Sequence, residues 1–250
     1  MKIFVISLTR ALDRREHITR RLRELGVEFE FFDAIDGAVS LHPALEKYDH
    51  AARLRKIGYA MRPGEIGVYA SHYLLWQWCV ENNLPCVVLE DDIEFSDDFG
   101  AVMNWLDQHI TQLGFIRIGW VFERPFRILA SAVGGRHLVK HLKGPRGGQG
   151  YAIHPSAARK LLAQSESWSE PVDDYIDMEW RHGVLLRALY PAPVWALDSF
   201  ASTIGDRPKQ SMPTWRKLQR EIYQASVRLR SWLFNLGWRI KTGWSGQSPL

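Results

Sequence analysis

The sequence has little of several features, and each shortage excludes a class of protein. Only two of its 250 residues are cysteines, too few for a disulfide framework or a four-ligand zinc site. This usage is typical of a reducing compartment. The apolar N-terminal run ends after about six residues, short of a signal peptide, and no later run reaches membrane-spanning length. We therefore expect a cytoplasmic protein.

Net positive charge is absent outside the C-terminal segment. The net charge is +4, but residues 214–250 hold seven basic residues and one acidic residue, a net +6. The other 213 residues therefore sum to −2, and no nucleic-acid partner is predicted. The length and composition suit a soluble globular chain. We predict one domain over residues 1–210 and a basic, Trp-rich helical tail over residues 211–250.

Short apolar runs alternate with amphipathic segments through the first 190 residues or so. KIFVISL predicts a strand, ALDRREHITRRLRELG a helix and VEFEFFDAIDG a second strand, an order typical of a parallel sheet. The alternation continues, with later strands predicted at PCVVLE, GFIRIGW, GYAIH and VLLRALYP. We expect an α/β fold with a mostly parallel sheet flanked by helices. Residues 38–60 are interpreted as a surface excursion, and residues 121–148 as a mobile or substrate-shaped loop.

Polar residues follow three of the predicted strands at the points where they end. Ligands of open α/β sheets bind at the carboxyl ends of the strands. We therefore expect one edge of the sheet to gather the following residues: Ser7 and Arg14 after the first strand, Asp33, Asp36 and Gly37 after the second, and Glu90, Asp91 and Asp92 after the run CVVL.

The acidic cluster at residues 90–92 suits a hard divalent cation. Mg²⁺ and Mn²⁺ prefer oxygen ligands and keep positions open for water and phosphate. Such an ion can hold a diphosphate and neutralise the charge of a leaving phosphate. The alternative is that these acidic residues cap the following helix in water.

Four blocks of the sequence are distinctive in order and spacing: ISLTRALDRREHITRRL, FFDAIDG, RPGEIGVYASHYLLWQWCVENNLPCVVLEDDIEF and GGQGYAIHPSAARKLL. They resemble the successive blocks of glycosyltransferase family 25, which includes bacterial lipooligosaccharide galactosyltransferases. They occur in the family's order from about Lys2 to Ile204. The resemblance implies a GT-A type fold with a Rossmann-like sheet, a UDP-sugar donor (usually UDP-galactose), Mn²⁺ or Mg²⁺, and inversion at the sugar.

The resemblance also implies roles for individual residues. Asp92 would bind the metal, Glu90 would face the ribose or a metal-bound water, and Asp91 could do either. Asp198 stands where a neutral polar residue is expected, and it would either supply a late metal ligand or only hold its loop. The donor-site residues implied by the family, or placed to reach the donor, are Ser7, Arg14, Asp33, Asp36, Gly37, His72 and Gln149. For His72 the alternative is a core histidine, for Gln149 a plain loop, and for Arg14 an exposed helix arginine.

Inversion requires a second carboxylate to take the proton of the attacking hydroxyl. The stretch EPVDDYIDMEW resembles the family's Pro-Val-Asp block, and Asp173 occupies the matching position. Asp173 and its neighbour Asp174 are the candidate base or acceptor-orienting residues. The alternative is that both stabilise the N-terminus of a helix. Asp177 and Glu179 fit the solvated face of that helix.

The tail has apolar residues at helical spacing with basic residues beside them. Residues 214–240 therefore predict an amphipathic helix that lies on an anionic membrane surface. The alternative is a helix packed on the protein's own core or on a second subunit. A membrane position suits a glycolipid or oligosaccharide acceptor.

The expected function is transfer of a hexose, most readily galactose from UDP-galactose, to a lipooligosaccharide or LPS-type glycan. A UDP-glucose-dependent enzyme of the same family is one alternative. Another is an inactive relative that binds nucleotide or glycan at a membrane. A metal-dependent phosphohydrolase lacks the additional His/Asp clusters that such sites use.

Overall fold

A computed structural model describes residues 1–197 and 213–243 of the chain. The strands in these residues are β1 (Lys2–Ser7), β2 (Glu30–Asp33), β3 (Cys86–Glu90), β4 (Ile93–Phe95), β5 (Phe115–Gly119), β6 (Phe126–Ser131), β7 (His137–His141), β8 (Gly150–Ile153), β9 (Arg187–Tyr190) and β10 (Val194–Ala196). The α-helices are α1 (Leu12–Glu24), α2 (His50–Ile57), α3 (Pro63–Glu81), α4 (Phe99–Leu113), α5 (Pro155–Ala163), α6 (Val172–Ile176), α7 (Glu179–His182) and α8 (Thr214–Thr242).

Eight strands form one sheet in the order β2-β1-β3-β8-β5-β9-β7-β6. Strands β2, β1 and β3 are parallel, and β5 and β9 run in the same direction. Strands β8 and β7 run in the opposite direction, and the edge strand β6 pairs antiparallel with β7. Six of the eight strands thus share one direction, which confirms the expected α/β class with a mostly parallel sheet.

Helices cover both faces of the sheet because its central strands are apolar on both sides. In β3, Val88 faces a core that includes Trp76 of α3. Its neighbours Val87 and Leu89 face a second core that includes Ile18 of α1. This alternation is the period of two expected of a strand. Complete burial of a Val or Leu side chain contributes about 1.5–3 kcal/mol, so the two cores hold β3 firmly.

Two segments without a clear sequence pattern turn out to be regular. Residues 121–148, expected to be a loop, contain the antiparallel hairpin of β6 and β7. Its edge strand is largely uncovered, so it lacks the continuous apolar run that identifies a buried strand. Residues 38–60 contain α2, whose N-cap is Asp49. This helix is short, so its period is hard to see in the sequence.

The predicted tail helix is present as α8, and it contacts the rest of the chain along one side. The hydroxyl of Tyr223 donates to Glu170 at 2.7 Å. Twelve residues later, Asn235 accepts a hydrogen bond from buried Lys140 at 2.8 Å and donates to the Leu142 carbonyl at 3.2 Å. These contacts fix two points about 18 Å apart along the helix. No described helix has the length and hydropathy needed to cross a membrane.

Candidate active site

The sheet brings the three polar strand ends together as expected. In the register, Ser7 of β1 lies opposite Asp33 of β2, and Ile6 lies opposite Glu90 at the end of β3. The loop at residues 34–37 begins beside Ser7, because the Ala34 N–H donates to the Ser7 carbonyl at 2.9 Å. Residues that are far apart in sequence therefore share one edge.

Arg14 from α1 neutralises two of the acidic residues. One of its guanidinium nitrogens donates to Asp91 at 2.7 Å and to Asp92 at 3.2 Å. The Asp91 side chain is 10% exposed, whereas that of Asp92 is 33% exposed. Asp92 is therefore the more accessible of the two to a ligand. Burial raises the pKa of Asp92, and Arg14 opposes this shift.

Glu90 is the third member of the cluster and lies among like charges. Its side chain is 29% exposed at the bottom of a cleft. Burial raises the pKa of Glu90 to about 8, and the carboxylates of Asp92, Asp173 and Asp91 add to the shift. Asp92 and Asp173, which are 81 residues apart, therefore both act on Glu90 electrostatically.

His72 lies in α3, beside Glu90, and is fully buried. Its Nδ1 atom lies 2.8 Å from the hydroxyl of Tyr151, which also accepts from Trp76 Nε1 at 2.8 Å. Because an indole N–H can only donate, the Tyr151 hydroxyl accepts from Trp76 and donates its own proton to His72 Nδ1. The proton of the neutral histidine is therefore on Nε2. Burial lowers the pKa of His72 to about 3. His72 is thus a neutral donor whose Nε2 lies 4.0 Å from Glu90 Oε1.

A glycine loop closes over this pair. A Cβ on Gly148 would lie 2.5 Å from Glu90 Oε1 and 3.3 Å from His72 Nε2, so only glycine fits without displacing them. The next residue, Gln149, accepts the Glu90 N–H at its carbonyl, at 3.1 Å. Its buried side-chain oxygen has no hydrogen-bond partner in the described part of the chain. Buried polar atoms are normally satisfied, so Gln149 Oε1 is suited to receive a hydroxyl donor.

The loop after β2 packs tightly against α3. A Cβ on Gly37 would lie 1.9 Å from the Pro63 carbonyl oxygen, and a Cβ on Gly67 would lie 2.2 Å from the Ile35 carbonyl oxygen. Ser71 of α3 accepts the Ile35 N–H at 2.9 Å. The GEIG and SH motifs therefore hold this loop in place, and Gly37 has a packing role.

The acidic residues of that loop are paired with α1 or with the segment that precedes it. The structure places the Asp33 carboxylate in an ion pair with Arg15, and the Asp36 carboxylate in an ion pair with Arg10. Asp36 also accepts the Ala38 N–H at 3.1 Å. Contact of these residues with a nucleotide stays a prediction.

Three aspartates from α6 and its C-terminal end lie across the cleft from the strand ends. Asp174 forms an ion pair with Arg146 at 2.9 Å, and burial raises its pKa to about 6. Asp177 accepts from Arg117 at 2.7 Å and from the Arg146 N–H at 2.9 Å. Among residues 1–197 and 213–243, Asp173 has only a 3.4 Å contact with the Gly147 N–H, so its carboxylate forms the fewest contacts of the three.

The sequence missed the role of Asp177, which was assigned to a solvated helix face together with Glu179. Neither is solvated: the Asp177 side chain is only 12% exposed, and the Glu179 side chain is buried, 4% exposed, and bound to Lys140 at 2.8 Å. The assignment was wrong because the helix ends at Ile176 and restarts at Glu179, which turns these residues inward. The sequence did contain one clue: Arg117 lies within the apolar strand segment GFIRIGW, and a buried arginine needs a carboxylate partner.

The acidic cluster at residues 90–92 offers a cation a small set of oxygen ligands. No group of three or more His, Cys, Asp or Glu side chains with metal-binding geometry occurs within residues 1–197 and 213–243. Asp198 lies outside the described residues. Mg²⁺ is commonly held by only one or two carboxylates together with substrate phosphates. Asp92 and Asp91 can supply oxygen ligands to such a shared site. The nearby carboxylates also repel the charge of Glu90 and raise its pKa, and a cation would reduce this repulsion.

A cleft of about 1180 Å³ reaches Glu90 at the end of β3. Its floor includes Glu90, Gly148, Gln149 and Asp173, and α8 forms the opposite wall. A cleft this size holds a disaccharide or a larger ligand. Acidic groups from two parts of the chain thus meet at the floor of one large cleft.

Comparison with known sequences identifies the family. The sequence profile of glycosyltransferase family 25 (LPS biosynthesis protein) matches residues 1–176, which is more than half of the chain. The chain belongs to glycosyltransferase family 25. This confirms the resemblance carried by the EIG, SH and LEDD motifs, and the α/β architecture agrees with the GT-A type fold that the family implies.

Relatives span bacteria and animals. The chain is 31% identical over 172 residues to the lipooligosaccharide biosynthesis protein lic2B of Haemophilus influenzae, covering 64% of this chain and 62% of that protein. It is 38% identical over 192 residues to a glycosyltransferase 25 family member of Drosophila melanogaster, covering 71% and 29%. An inactive family member 3 of Mus musculus is 34% identical over 230 residues, covering 85% and 37%. The chain thus spans less than two thirds of each relative's length.

Solved structures resemble the chain more distantly. A Drosophila β1,4-galactosyltransferase 7 variant, crystallised with manganese, UDP-Gal and xylobiose, aligns over 88% of this chain and 79% of its own. Its TM-score is 0.39 and its sequence identity is 12%.

Proposed function

We propose that the protein is a metal-dependent glycosyltransferase that moves galactose from UDP-galactose to a lipooligosaccharide or LPS-type glycan, with inversion. The observation that carries this proposal is that Glu90, two residues before Asp92 at the end of β3, lines one cleft together with Asp173 of α6. One carboxylate is available on the donor side and another on the acceptor side. Membership of the family and the bacterial relative support the choice of glycan.

The donor half of the site is proposed at the ends of β1, β2 and β3. Ser7 and Asp36 hydrogen-bond the uracil or ribose, and Asp33 lies beside them. Arg14 offsets the charge of Asp91 and Asp92, so that the cluster can accept a diphosphate without excessive repulsion. His72 Nε2 and Gln149 Oε1 are polar atoms placed to orient the sugar hydroxyls.

A divalent cation, Mn²⁺ or Mg²⁺, is proposed to bind Asp92, with Asp91 and Asp198 as further ligands. When bound, it would neutralise the charge that develops on the leaving diphosphate. The positive charge of the bound cation would also offset the negative charge of Asp91 and Asp92, so that the pKa of Glu90 would fall and Glu90 would ionise. Glu90 would then face the ribose or a water of the site.

Asp173 is proposed as the general base. The acceptor oxygen forms a bond to the anomeric carbon of galactose as the bond from that carbon to the diphosphate oxygen breaks, and the hydroxyl proton moves to Asp173. The products are the glycoside and UDP. Asp174 is less suited to this role because Arg146 binds its carboxylate, so its proposed role is to hold Arg146 and the loop that follows it.

The outer face of α8 supports a peripheral position on an anionic membrane. Seven large apolar side chains of this face are half exposed or more: Trp215, Leu218, Ile222, Leu229, Trp232, Leu233 and Ile240. They follow each other at helical spacing and have Arg216, Lys217 and Arg228 beside them. An apolar stripe with basic flanks is complementary to a bilayer that contains anionic lipid.

A donor panel with a lipooligosaccharide acceptor tests the proposal. With Mn²⁺ present, UDP-galactose should give a β-linked product, identified by the anomeric coupling in NMR. UDP-glucose should react more slowly; a reversed preference would assign the related glucosyltransferase activity. UDP binding without transfer to any acceptor would assign the inactive class, and an α-linked product would contradict the role of Asp173.

The variant Asp173→Asn should lower kcat by about 10²- to 10⁴-fold because it removes the base. The exposed Asp97→Asn is the matched control and should leave kcat unchanged.

A further inference from the structure

The cleft wall contributed by α8 has a regular composition. Two rows of residues, each at four-residue spacing, line the cleft: Tyr223, Val227, Ser231, Asn235 and Arg239 in one, and Gln224, Arg228, Trp232 and Leu236 in the other. Residues four apart lie on the same face of a helix. The whole length of α8 between its two anchor points therefore faces the cleft.

Several cations in this cleft lack carboxylate partners. Arg124, Lys143, Arg228 and Arg239 line it, and none of the four forms an ion pair within the described residues. By contrast, Arg146 is paired with Asp174, and Glu170 is already bound by Lys56 and Arg181. The unpaired positive charge thus comes from α8 and from the segments that enter and leave the β6–β7 hairpin.

Buried donors in the same cleft lack acceptors. The Nε atoms of Arg124 and Arg239, and Nε1 of Trp180, are buried without a hydrogen-bond partner among residues 1–197 and 213–243. Leaving such donors unsatisfied is unfavourable. An oxyanion is the ligand that would satisfy N–H donors and unpaired guanidinium groups together.

Acidic groups line the same cleft. Glu90, Asp173, Asp174 and Asp177 are among its lining residues, and the Gly147 N–H contacts Asp173 at 3.4 Å. An anion is disfavoured beside carboxylates, whereas sugar hydroxyls are good partners for them. The cleft therefore offers carboxylates for sugar hydroxyls around the proposed base, and unpaired cations for an anion on α8 and beside the β6–β7 hairpin.

We infer that this cleft is the acceptor site and that it binds a glycan carrying a phosphate or carboxylate group near the sugar that is extended. The inference rests on the proposed function for the role of the carboxylates. Trp232 and Leu236 belong both to the cleft lining and to the exposed apolar side of α8. An apolar aglycone attached to the glycan therefore has a continuous path from the cleft to the outer surface of the helix.

The experiment uses matched soluble probes with the full chain. Binding of octyl β-D-glucoside, its 6-phosphate and octyl β-D-glucuronide is measured by calorimetry below micelle-forming concentrations, with and without saturating UDP and Mn²⁺. At least one anionic probe should bind about tenfold more tightly than octyl glucoside. The 6-phosphate and the glucuronide separate the phosphate from the carboxylate as the preferred anion.

Charge variants of α8 locate the anion. The double variant Arg228→Gln/Arg239→Gln should lose most of the preference for the anionic probe over octyl glucoside. The control Arg216→Gln/Lys241→Gln removes the same charge from outside the cleft and should keep that preference. Both variants are expected to fold, with unchanged circular dichroism, because these side chains are exposed or half-buried.

Three outcomes would overturn the inference: equal affinity for charged and neutral probes, equal losses in the two double variants, or displacement of the anionic probe by UDP. Displacement would mean that the anion occupies the donor diphosphate site. Absence of UDP binding would sink the proposed function alone, since the anion preference of the cleft is measured separately.

Discussion

The Nε2 atom of His72 lies 4.0 Å from Oε1 of Glu90, where α3 passes the end of β3. The histidine is held in place by the Tyr151 hydroxyl and is neutral. Gly148 covers the pair from a third segment of the chain. This arrangement holds the Nε2 donor of His72 next to the Glu90 carboxyl, whose pKa is raised by both Asp92 and Asp173.

Replacement of Gly148 tests the importance of this packing. In Gly148→Ala, the added Cβ would collide with Glu90 and crowd His72, so kcat/KM for sugar transfer should fall roughly 10- to 100-fold. Gly100→Ala is the control, because its Cβ would find no heavy atom nearer than 3.6 Å. Equal activity of the two variants in a transfer assay would show that the loop has room to move.

A buried histidine away from the site predicts a pH effect on stability. Burial, with Arg117 and Lys140 nearby, lowers the pKa of His141 to about 4. Above pH 6.5 the residue is neutral in both states. Between pH 6.5 and about 4 the unfolded chain binds a proton that the folded chain does not, so acid favours unfolding in this window.

The variant His141→Phe removes this contribution. Both ring nitrogens of His141 are unpartnered within the described residues, and its ring packs against Trp120 and Phe126, so Phe should fit. Relative to wild type, the variant should gain up to about 1.4 kcal/mol in unfolding free energy per pH unit as the pH falls from 6.5 to 4. Urea unfolding at several pH values measures this. If the unfolding free energies of wild type and His141→Phe changed with pH in parallel, this prediction would be refuted. The exposed His50→Phe is the control.

The attachment of α8 depends on one buried polar group. In Asn235→Ala, Lys140 loses one of its three oxygen acceptors and keeps Glu179 and the His141 carbonyl. The free energy of unfolding should fall by about 1–3 kcal/mol, and limited proteolysis should cut within α8 more rapidly. Gln219→Ala, at an exposed position of the same helix, should show neither change. Unchanged proteolysis of Asn235→Ala would mean that other contacts hold the helix.

Much of the fold could be predicted because buried strands carry a direct signal. KIFVISL and CVVLE are continuous apolar runs, and they became the adjacent central strands β1 and β3. The edge hairpin of β6 and β7 could not be found, since its outer strand is partly exposed and broken by a register shift at Ile128. Antiparallel β8 was predicted as a strand, but nothing in GYAIH specifies its direction.

The position of the candidate site could be predicted only in part. The residues at strand ends, such as Ser7 and Glu90, could be placed at one edge because the parallel order of β2, β1 and β3 brings strand ends together. The pairing of Arg14 with Asp91 and of Arg117 with Asp177 depends on side-chain directions that no local pattern encodes. The place of α8 as a cleft wall depends on two distant anchors, Glu170 and Lys140.

The exposed stripe of α8 predicts binding to anionic vesicles. The wild-type chain should float with vesicles of phosphatidylglycerol and phosphatidylcholine, and much less with phosphatidylcholine alone. Leu229→Glu/Leu233→Glu should abolish flotation, because it places charge in the apolar stripe. Leu84→Glu/Ile128→Glu adds the same charge at exposed apolar positions elsewhere and should float normally. If the stripe instead joins two copies, sedimentation will show a dimer that the Leu229→Glu/Leu233→Glu variant dissociates.

We propose that Asp92 holds a cation which binds the diphosphate of the donor, and thermal unfolding with UDP is a direct test of this role. At UDP about 100 times its Kd, with Mn²⁺ present, the melting temperature of the wild type should rise by about 5–10 °C. Without Mn²⁺ the rise should be small, and in Asp92→Asn it should be small with or without the metal, while Asp97→Asn behaves as wild type. A rise in Asp92→Asn equal to that of the wild type, or no dependence on the metal in either, would contradict the account.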